Sequence, residues 1–355
     1  MILYTLSRPY SRSLYQCIRA DIENGTYLPG SRLPSKRQFA LDLHLSLSTV
    51  ENALSLLEEE GYIECLQRKG MFVLKGNIRP SRRSDFVFQP LPEDPIRQDP
   101  DFPASLWFKT MRLVMSRDRE MICQMSPAAG CARLRNAIAR YLHQERGMHV
   151  QPKQIVIASG SRSLYEILAR LFQGEFDVAI ESPGFAPIEA IYTRTGAQIE
   201  KLPLDTEGIQ IEALKNSSSS FLHVSPFSSY PSQIKGSPAR RKVYLDWIAS
   251  RSGYLIEDDY NSEFFQNGPM LQTLYSLDGL EKVIYLNTFS KSISPSVRLG
   301  YMVLPCSLLE RYEKTAGAMA CTVTMLEQYT LAEFMENGSF ERLIARRRRH
   351  QSAVG

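Results

Sequence analysis

A single lysine surrounded by hydroxyl groups lies in the segment NTFSKSISPSVR. Thr288 and Ser290 stand beside Lys291, and Arg298 follows seven residues later. The amine of a lysine can condense with an aldehyde to an imine, whereas hydroxyls and a permanently charged arginine suit a phosphate group. A lone lysine is usually a surface residue, so this segment needs support from elsewhere in the chain.

Two more segments could complete a site for an aldehyde that carries a phosphate. In YLIEDDYNSEFF, an apolar strand ends in acids, where Asp258 could keep a pyridine nitrogen protonated and Tyr260 could hydrogen-bond a ring hydroxyl. In IASGSRSLYEILARLF, a strand, a Ser-Gly turn and a helix would bring a helix N-terminus to the phosphate, with Ser161 and Arg162 nearest to it. Singly, a solvated acidic loop and a capped helix are better explanations. Together, the three segments predict a site for pyridoxal 5'-phosphate (PLP).

These segments belong to a regular alternation of strands and helices. The apolar runs QIVIA, DVAIE, SFLHV, YLIED and KVIYLN alternate with helical segments such as SRSLYEILARLF and PARRKVYLDWIASR. This alternation predicts an α/β fold with a mostly parallel sheet that is covered by helices on both faces. Ligands bind at the carboxyl ends of the strands in such sheets, which is where the candidate residues fall.

The first 75 residues have a different pattern. Leu14, Ile18 and Ile22 form one apolar helical stripe, two further helical segments follow, and YIECLQRKGMFVL predicts a short hairpin. Three helices followed by a hairpin are typical of a winged helix-turn-helix, in which the third helix enters the major groove of DNA.

Polar and basic side chains mark the candidate DNA-contacting positions of this first part. The candidates are Arg32, Ser35, Lys36, Arg37, Ser48, Thr49, Asn52, Lys69 and Gly70. Lysine and arginine would supply the salt-dependent part of the affinity, which is independent of base sequence. The alternative interpretation is an ordinary set of solvated charges or a protein-docking module.

The segment PGSRLPSKRQFALDLHLSLSTVENALSLLEEEGYI resembles the DNA-reading head of the GntR family of bacterial repressors, and residues 105–350 resemble the large domain of a fold type I aminotransferase. Together they resemble the MocR subfamily of PLP-dependent regulators. The resemblance implies that Lys291 forms the imine, Asp258 pairs with the pyridine, Tyr260 with the ring hydroxyl, and Arg298 clamps the phosphate. It also implies that Phe185, in ESPGFAP, stacks on the ring.

The resemblance extends to the DNA-contacting positions Arg37, Ser48, Thr49 and Gly70. Leu47 departs from it, because the family often has a polar or basic residue there. In the segment SPFSSYPSQ, the residues Ser229, Ser232 and Gln233 replace the usual side chains, which weakens the expected cofactor contact from this loop.

The segment ERLIARRRRHQSAVG falls where the family continues into a small C-terminal domain with a substrate-binding arginine, and we expect that domain to be absent. The arginines 346–349 could be a nucleic-acid patch, but we expect one helical turn of solvated charges.

Length and composition fit a multi-domain protein. A chain of 355 residues exceeds one ordinary hydrophobic core, and we expect a winged helix-turn-helix at 1–75, a proline- and charge-rich linker at 76–103 and a truncated aminotransferase-like domain at 104–355. Six cysteines without CxxC spacing predict neither a disulfide framework nor a metal site. Neither a membrane span nor a secretory signal is evident, so we expect a cytoplasmic protein.

These observations predict a PLP-dependent, DNA-binding transcriptional regulator whose aminotransferase-like body acts as a sensor rather than as an enzyme. The expected partners are operator DNA, a small-molecule effector (an amine, an amino acid or PLP itself) and a second copy of the chain in a homodimer. Two alternatives remain open, namely an active aminotransferase and a truncated regulator that binds DNA without a cofactor.

Overall fold

The computed structural model describes residues 4–66, 69–74, 91–92, 102–261, 263, 272–317 and 320–354. The chain divides into two compact units, residues 1–95 and 96–355. The predicted linker lies outside the described residues except at positions 91–92 and 102–103. None of the described helices combines the length and the apolar character that crossing a bilayer requires.

The first unit is built from three helices and a two-stranded antiparallel sheet. These elements are α1 (Tyr10–Glu23), α2 (Lys36–Asp42), α3 (Leu47–Glu59), β1 (Ile63–Leu66) and β2 (Gly70–Val73). The Ser35 hydroxyl accepts a hydrogen bond from the Gln38 N–H at 3.2 Å and begins α2, and the Ser46 hydroxyl accepts one from the Thr49 N–H at 3.2 Å and begins α3. Leu14, one of the stripe residues of α1, is fully buried in the core of this unit. The order of elements confirms the predicted winged helix-turn-helix.

The second unit contains an eight-stranded sheet. Its strands are β3 (Ile155–Ala158), β4 (Asp177–Ser182), β5 (Gln198–Asp205), β6 (Gly208–Ile209), β7 (Phe221–Val224), β8 (Leu255–Asp258), β9 (Val283–Thr288) and β10 (Gly300–Val303). Their order across the sheet is β3-β10-β9-β8-β7-β4-β5-β6. The pairs between β9 and β5 are parallel, whereas β10 is antiparallel to both of its neighbours. Since β3 and β9 both oppose β10, they run in the same direction.

Helices cover both faces of this sheet. The helices are α4 (Ala104–Arg117), α5 (Arg119–Ile122), α6 (Ala132–Arg146), α7 (Ser161–Leu171), α8 (Ala186–Arg194), α9 (Ile211–Asn216), α10 (Pro238–Ala249), α11 (Leu274–Leu277), α12 (Phe289–Ser292), α13 (Leu309–Lys314), α14 (Met325–Glu336) and α15 (Ser339–Val354). Along β3, Ile155 and Ile157 pack into the core on one face, and Val156 and Ala158 into the core on the other. The mostly parallel, two-sided sheet predicted from the sequence is confirmed.

Candidate functional site

The carboxyl ends of β3, β4, β7, β8 and β9 meet at one edge of the sheet, as parallel strands require. Asp258 is the last residue of β8, Thr288 is the last of β9, and Ser161 begins α7 just after β3. A cavity of about 310 Å³ opens at this edge. Its lining consists of Ser161, Tyr165, Phe185, Ser225, Tyr230, Asp258, Tyr260, Thr288, Ser290, Lys291, Pro295 and Arg298.

This lining includes every predicted cofactor residue except Arg162. Arg162 is exposed on the first turn of α7, next to Ser161, which does line the cavity. The Arg162 side chain is not part of the described lining, so a role for Arg162 at the phosphate stays a prediction. The structure thus brings Lys291 and Asp258 to one cavity.

Lys291 lies in the short helix α12 and is exposed at the cavity, although part of its side chain is removed from water. Its Nζ lies 5.3 Å from the centroid of the Tyr260 ring. Burial lowers the pKa of Lys291 below its ordinary value, because a charged ammonium is disfavoured away from water. A lower pKa increases the fraction of unprotonated amine, which is the form that attacks an aldehyde.

Arg298 and the start of α7 form a cradle for an anion. The Arg298 Nη1 lies 3.5 Å from the Ser290 hydroxyl. Gly160, which precedes α7, has a φ of +78°, and a Cβ at this position would lie 3.0 Å from the Arg298 Nη2. No side chain of the described residues caps α7 at Gly160, so its first amide groups are available to a ligand. Hydroxyls, a guanidinium and helix amides are the donors that a phosphate prefers.

Asp258 is supported from the protein side by a buried cluster of aromatic residues. The Tyr165 phenol donates a hydrogen bond to the Asp258 carboxylate. Burial, reinforced by the charge of Asp258, raises the pKa of Tyr165 well above its ordinary value, so the phenol remains a donor. His223 Nε2 lies 3.6 Å from Asp258 Oδ2, beyond hydrogen-bond distance, and its Nδ1 lies 2.9 Å from the Tyr192 hydroxyl.

Aromatic side chains form the wall around the cavity mouth. Phe185 precedes α8, and its ring meets that of Tyr230 edge to face, with centroids 5.4 Å apart. The Tyr260 hydroxyl donates to the Ser228 hydroxyl at 3.3 Å. Flat rings at this position suit a planar ligand.

Sequence reasoning missed four lining residues, namely Tyr165, Ser225, Tyr230 and Pro295. Tyr165 could have been predicted as a lining residue, because it follows Ser161 by four residues and so lies on the same helix face. Ser225 and Tyr230 belong to the SPFSSYPSQ segment, in which the family resemblance points to Ser229, Ser232 and Gln233 instead. None of those three side chains is part of the described lining.

In the first unit, the predicted DNA-contacting residues are accessible. Arg32, Ser35, Lys36, Arg37, Ser48, Asn52 and Lys69 are exposed, and Thr49 and Gly70 are partly so. Lys36 Nζ lies 3.3 Å from Glu51 Oε1. Arg32 packs against the hairpin. Its Nε is so close to Gly70 that a Cβ added there would lie only 2.8 Å from it. The Arg32 guanidinium therefore lies against the hairpin at Gly70.

Two family models match the chain, one for each unit. The model for bacterial regulatory proteins of the gntR family matches residues 10–73, and the model for aminotransferase class I and II matches residues 102–354. An uncharacterized HTH-type transcriptional regulator, YdeL, of Bacillus subtilis is 33% identical over 97% of this chain and 77% of the relative. The probable rhizopine catabolism regulatory protein MocR of Rhizobium meliloti is 28% identical over 96% of this chain and 74% of the relative. The chain belongs to the MocR-type GntR regulators.

Solved aminotransferases share the fold of the second unit of this MocR-type regulator. The crystal structure of LysN, an alpha-aminoadipate aminotransferase from Thermus thermophilus complexed with N-(5'-phosphopyridoxyl)-L-leucine, is 26% identical, with a TM-score of 0.63. The match covers 70% of this chain and 64% of that chain. The chain thus spans about three-quarters of its curated relatives and less than two-thirds of this solved enzyme. Its similarity over nearly its whole length is to regulators, which favours a regulator over an aminotransferase.

Proposed function

We propose that this MocR-type regulator binds PLP in the cavity at the sheet edge and operator DNA through its winged helix-turn-helix, and that the first event controls the second. The observation that carries the proposal is the convergence of three separate segments on one cavity, the first with Lys291 and Arg298, the second with Asp258 and the third with Ser161. Aminotransferases of class I and II generally bind PLP, and the residues present here fit that cofactor.

The fit rests on the chemistry of the donors. Bound PLP supplies an aldehyde that reacts with amines and a pyridine ring that withdraws electrons when its nitrogen is protonated. Asp258 would hold the proton on the pyridine nitrogen, and Lys291 would supply the amine. Arg298, Thr288 and the amides at the start of α7 would hold the phosphate. Phe185 would cover a face of the ring, and Tyr260 would hydrogen-bond the ring hydroxyl.

Sensing follows from competition for one reactive group. An effector that carries an amine would compete with the Lys291 amine for the cofactor aldehyde, and the freed lysine would take up a different position. A ligand shifts a conformational equilibrium only by its difference in affinity for the two states. We infer that the states with and without covalent attachment of Lys291 differ in how the two DNA-reading heads of a homodimer are spaced.

The homodimer is part of the proposal. Helix α4 buries Trp107, Thr110 and Val114 but exposes Phe108 and Met115, each at 48%. Apolar side chains on an outer helix face favour association, and dimeric readers bind paired half-sites of operator DNA. Binding to bacterial operators would place the protein in the cytoplasm.

DNA binding by the full-length chain tests the proposal. Genomic fragments selected by the protein would be titrated with the wild type and with Lys291→Ala, with and without PLP. We expect PLP, or an amine added after PLP, to change the affinity of the wild type by at least fivefold and to leave that of Lys291→Ala unchanged. Equal affinities of both proteins under all conditions, once Lys291→Ala has been shown not to attach PLP, would refute the coupling.

An active aminotransferase is the second candidate, favoured by the similarity of the second unit to solved transaminases. Incubation of the PLP-loaded chain with panels of amino acids and keto acids decides between the two. Repeated exchange of amino groups would establish an enzyme, whereas a single spectral change without turnover supports the sensor.

A further inference from the structure

The arginine run 346–349 lies on α15, and two of its members are not solvated as predicted. Phe340, Leu343 and Ile344 are buried on one face of α15. Residues 347 and 348 continue that face, because residues three and four apart on a helix are neighbours. Both of these arginines are half-buried, whereas Arg346 and Arg349 are exposed. The expectation of a solvated turn is therefore wrong for Arg347 and Arg348.

Arg347 holds the backbone on either side of the end of the Lys291 helix. Its Nη1 donates to the Lys291 carbonyl at 2.6 Å, and its Nη2 donates to the Ile293 carbonyl at 2.7 Å. Helix α12 has four residues, so its last carbonyl groups have no partners within the helix. A planar guanidinium that binds two carbonyls fixes their orientation as well as their distance.

Arg348 makes a related contact one residue later. Its Nε donates to the Glu263 carbonyl at 2.6 Å. Glu263 follows Tyr260 by three residues, and its buried carboxyl group accepts a hydrogen bond from the Tyr141 hydroxyl at 3.3 Å. Adjacent arginines of one helix thus hold the two segments that bring Lys291 and Tyr260 to the cavity.

We propose that Arg347 and Arg348 are positioning residues that set where the Lys291 amine and the Tyr260 ring lie in the cavity. A change in the position of α15 would move the Lys291 amine and so alter its ability to attach covalently to PLP. This consequence rests on the proposed PLP function. Neither side chain lines the cavity, so both act through the backbone segments they hold. This role distinguishes them from a patch that binds nucleic acid.

The two hydrogen bonds from Arg347 to the carbonyl groups of Lys291 and Ile293, here called the clamp, can be tested without the cofactor. Hydrogen exchange of the full-length chain measures them. In the wild type the Ile293 N–H donates to the Phe289 carbonyl at 2.8 Å, so its exchange reports whether α12 is held. We expect Arg347→Ala to speed exchange across residues 289–294 by roughly tenfold, because a hydrogen bond from a charged group is lost. Arg346→Ala removes the same side chain one residue earlier, at an exposed position, and this matched control should leave exchange unchanged. Equal exchange in both variants would overturn the clamp.

The consequence for the site is measured with PLP. We expect Arg347→Ala to weaken PLP binding by roughly tenfold and to move the pH midpoint of the absorbance of lysine-bound PLP. Arg347→Lys should restore the binding only in part, since an ammonium lacks the planar fork. Unchanged PLP affinity in Arg347→Ala would overturn the positioning role. A wild-type chain that attaches no PLP would instead refute the proposed function, and the hydrogen-exchange result would still decide the clamp.

Discussion

The hydrogen bond from Tyr165 to Asp258 gives a prediction with an unusual sign. Tyr165→Phe keeps the buried ring, which packs against Tyr192 and His223, and removes the hydroxyl that donates to the carboxylate. A hydrogen bond to a charged group contributes about 1.5–3 kcal/mol. Without PLP, the free energy of unfolding should therefore fall by about 2 kcal/mol.

With PLP bound, the loss should be smaller. Asp258 is 5% exposed, and the pyridine nitrogen would give it a second donor that remains after the substitution. If that donor restores about 1 kcal/mol, the variant should bind PLP about fivefold more tightly than the wild type, although it is less stable. Chemical unfolding with and without saturating PLP measures both quantities.

Tyr192→Phe is the matched control for Tyr165→Phe. Tyr192 is equally buried and its hydroxyl contacts His223, but not Asp258. It should lower stability equally with and without PLP. An equal loss in both conditions for Tyr165→Phe as well would refute the inference that Tyr165 and the pyridine nitrogen share the Asp258 carboxylate.

Three further predictions concern other parts of the molecule. Burial raises the pKa of Glu181 from 4.5 to about 7. The contribution of this carboxyl group to stability is therefore full below pH 4.5 and is lost as the pH rises through 7. In Glu181→Gln, the free energy of unfolding should fall by about 3 kcal/mol less over this pH range than in the wild type. Gly70 has a φ of +108° and packs against Arg32, so Gly70→Ala should weaken DNA binding about tenfold and lower the salt dependence by about one ion. Phe108→Glu should weaken self-association of the chain at least tenfold, as measured by sedimentation velocity.

Each of these three has a contradicting result. If the melting temperature of Glu181→Gln depends on pH as that of the wild type does, Glu181 is not the group that stays protonated in the folded state. Gly25 also has a positive φ, of +81°, with nothing within 4 Å of an added Cβ; if Gly25→Ala weakens DNA binding as much as Gly70→Ala, displacement of Arg32 is not the cause. A dimer unaffected by Phe108→Glu would exclude the outer face of α4 from the interface.

The strands that can be predicted from the sequence are those whose own residues carry a clear apolar pattern. The apolar runs of β3, β4, β7, β8 and β9 are recognisable, because strands buried on both faces read as continuous apolar segments. Strand β5 is not, because Glu200 and Lys201 stand together at its centre and only Leu202 is buried. Strand β10, GYMV, has only four residues and closely follows the lysine segment, so the apolar run is too short to indicate a strand by itself.

Some residues of the candidate site can likewise be predicted from the sequence, and others cannot. Residues at strand ends, such as Asp258 and Thr288, are predictable because parallel strands end at one edge. Arg162 is not among the lining residues although its neighbour Ser161 is, because tertiary packing and not sequence spacing sets where a long side chain at the start of a helix lies. Arg347 and Arg348 could not be assigned from the sequence, because their partners lie more than 50 residues away along the chain. Contacts of that kind are set by the packing of α15 on the sheet unit, which no local pattern contains.

Covalent attachment of PLP to Lys291 is the reaction on which the proposed sensor depends. The full-length chain would be loaded with PLP, reduced with borohydride and digested, and the modified residue would be located by tandem mass spectrometry. We expect one pyridoxyl group, on Lys291, and none on the Lys291→Ala variant. Modification spread over other lysines, or none at saturating PLP, would contradict it.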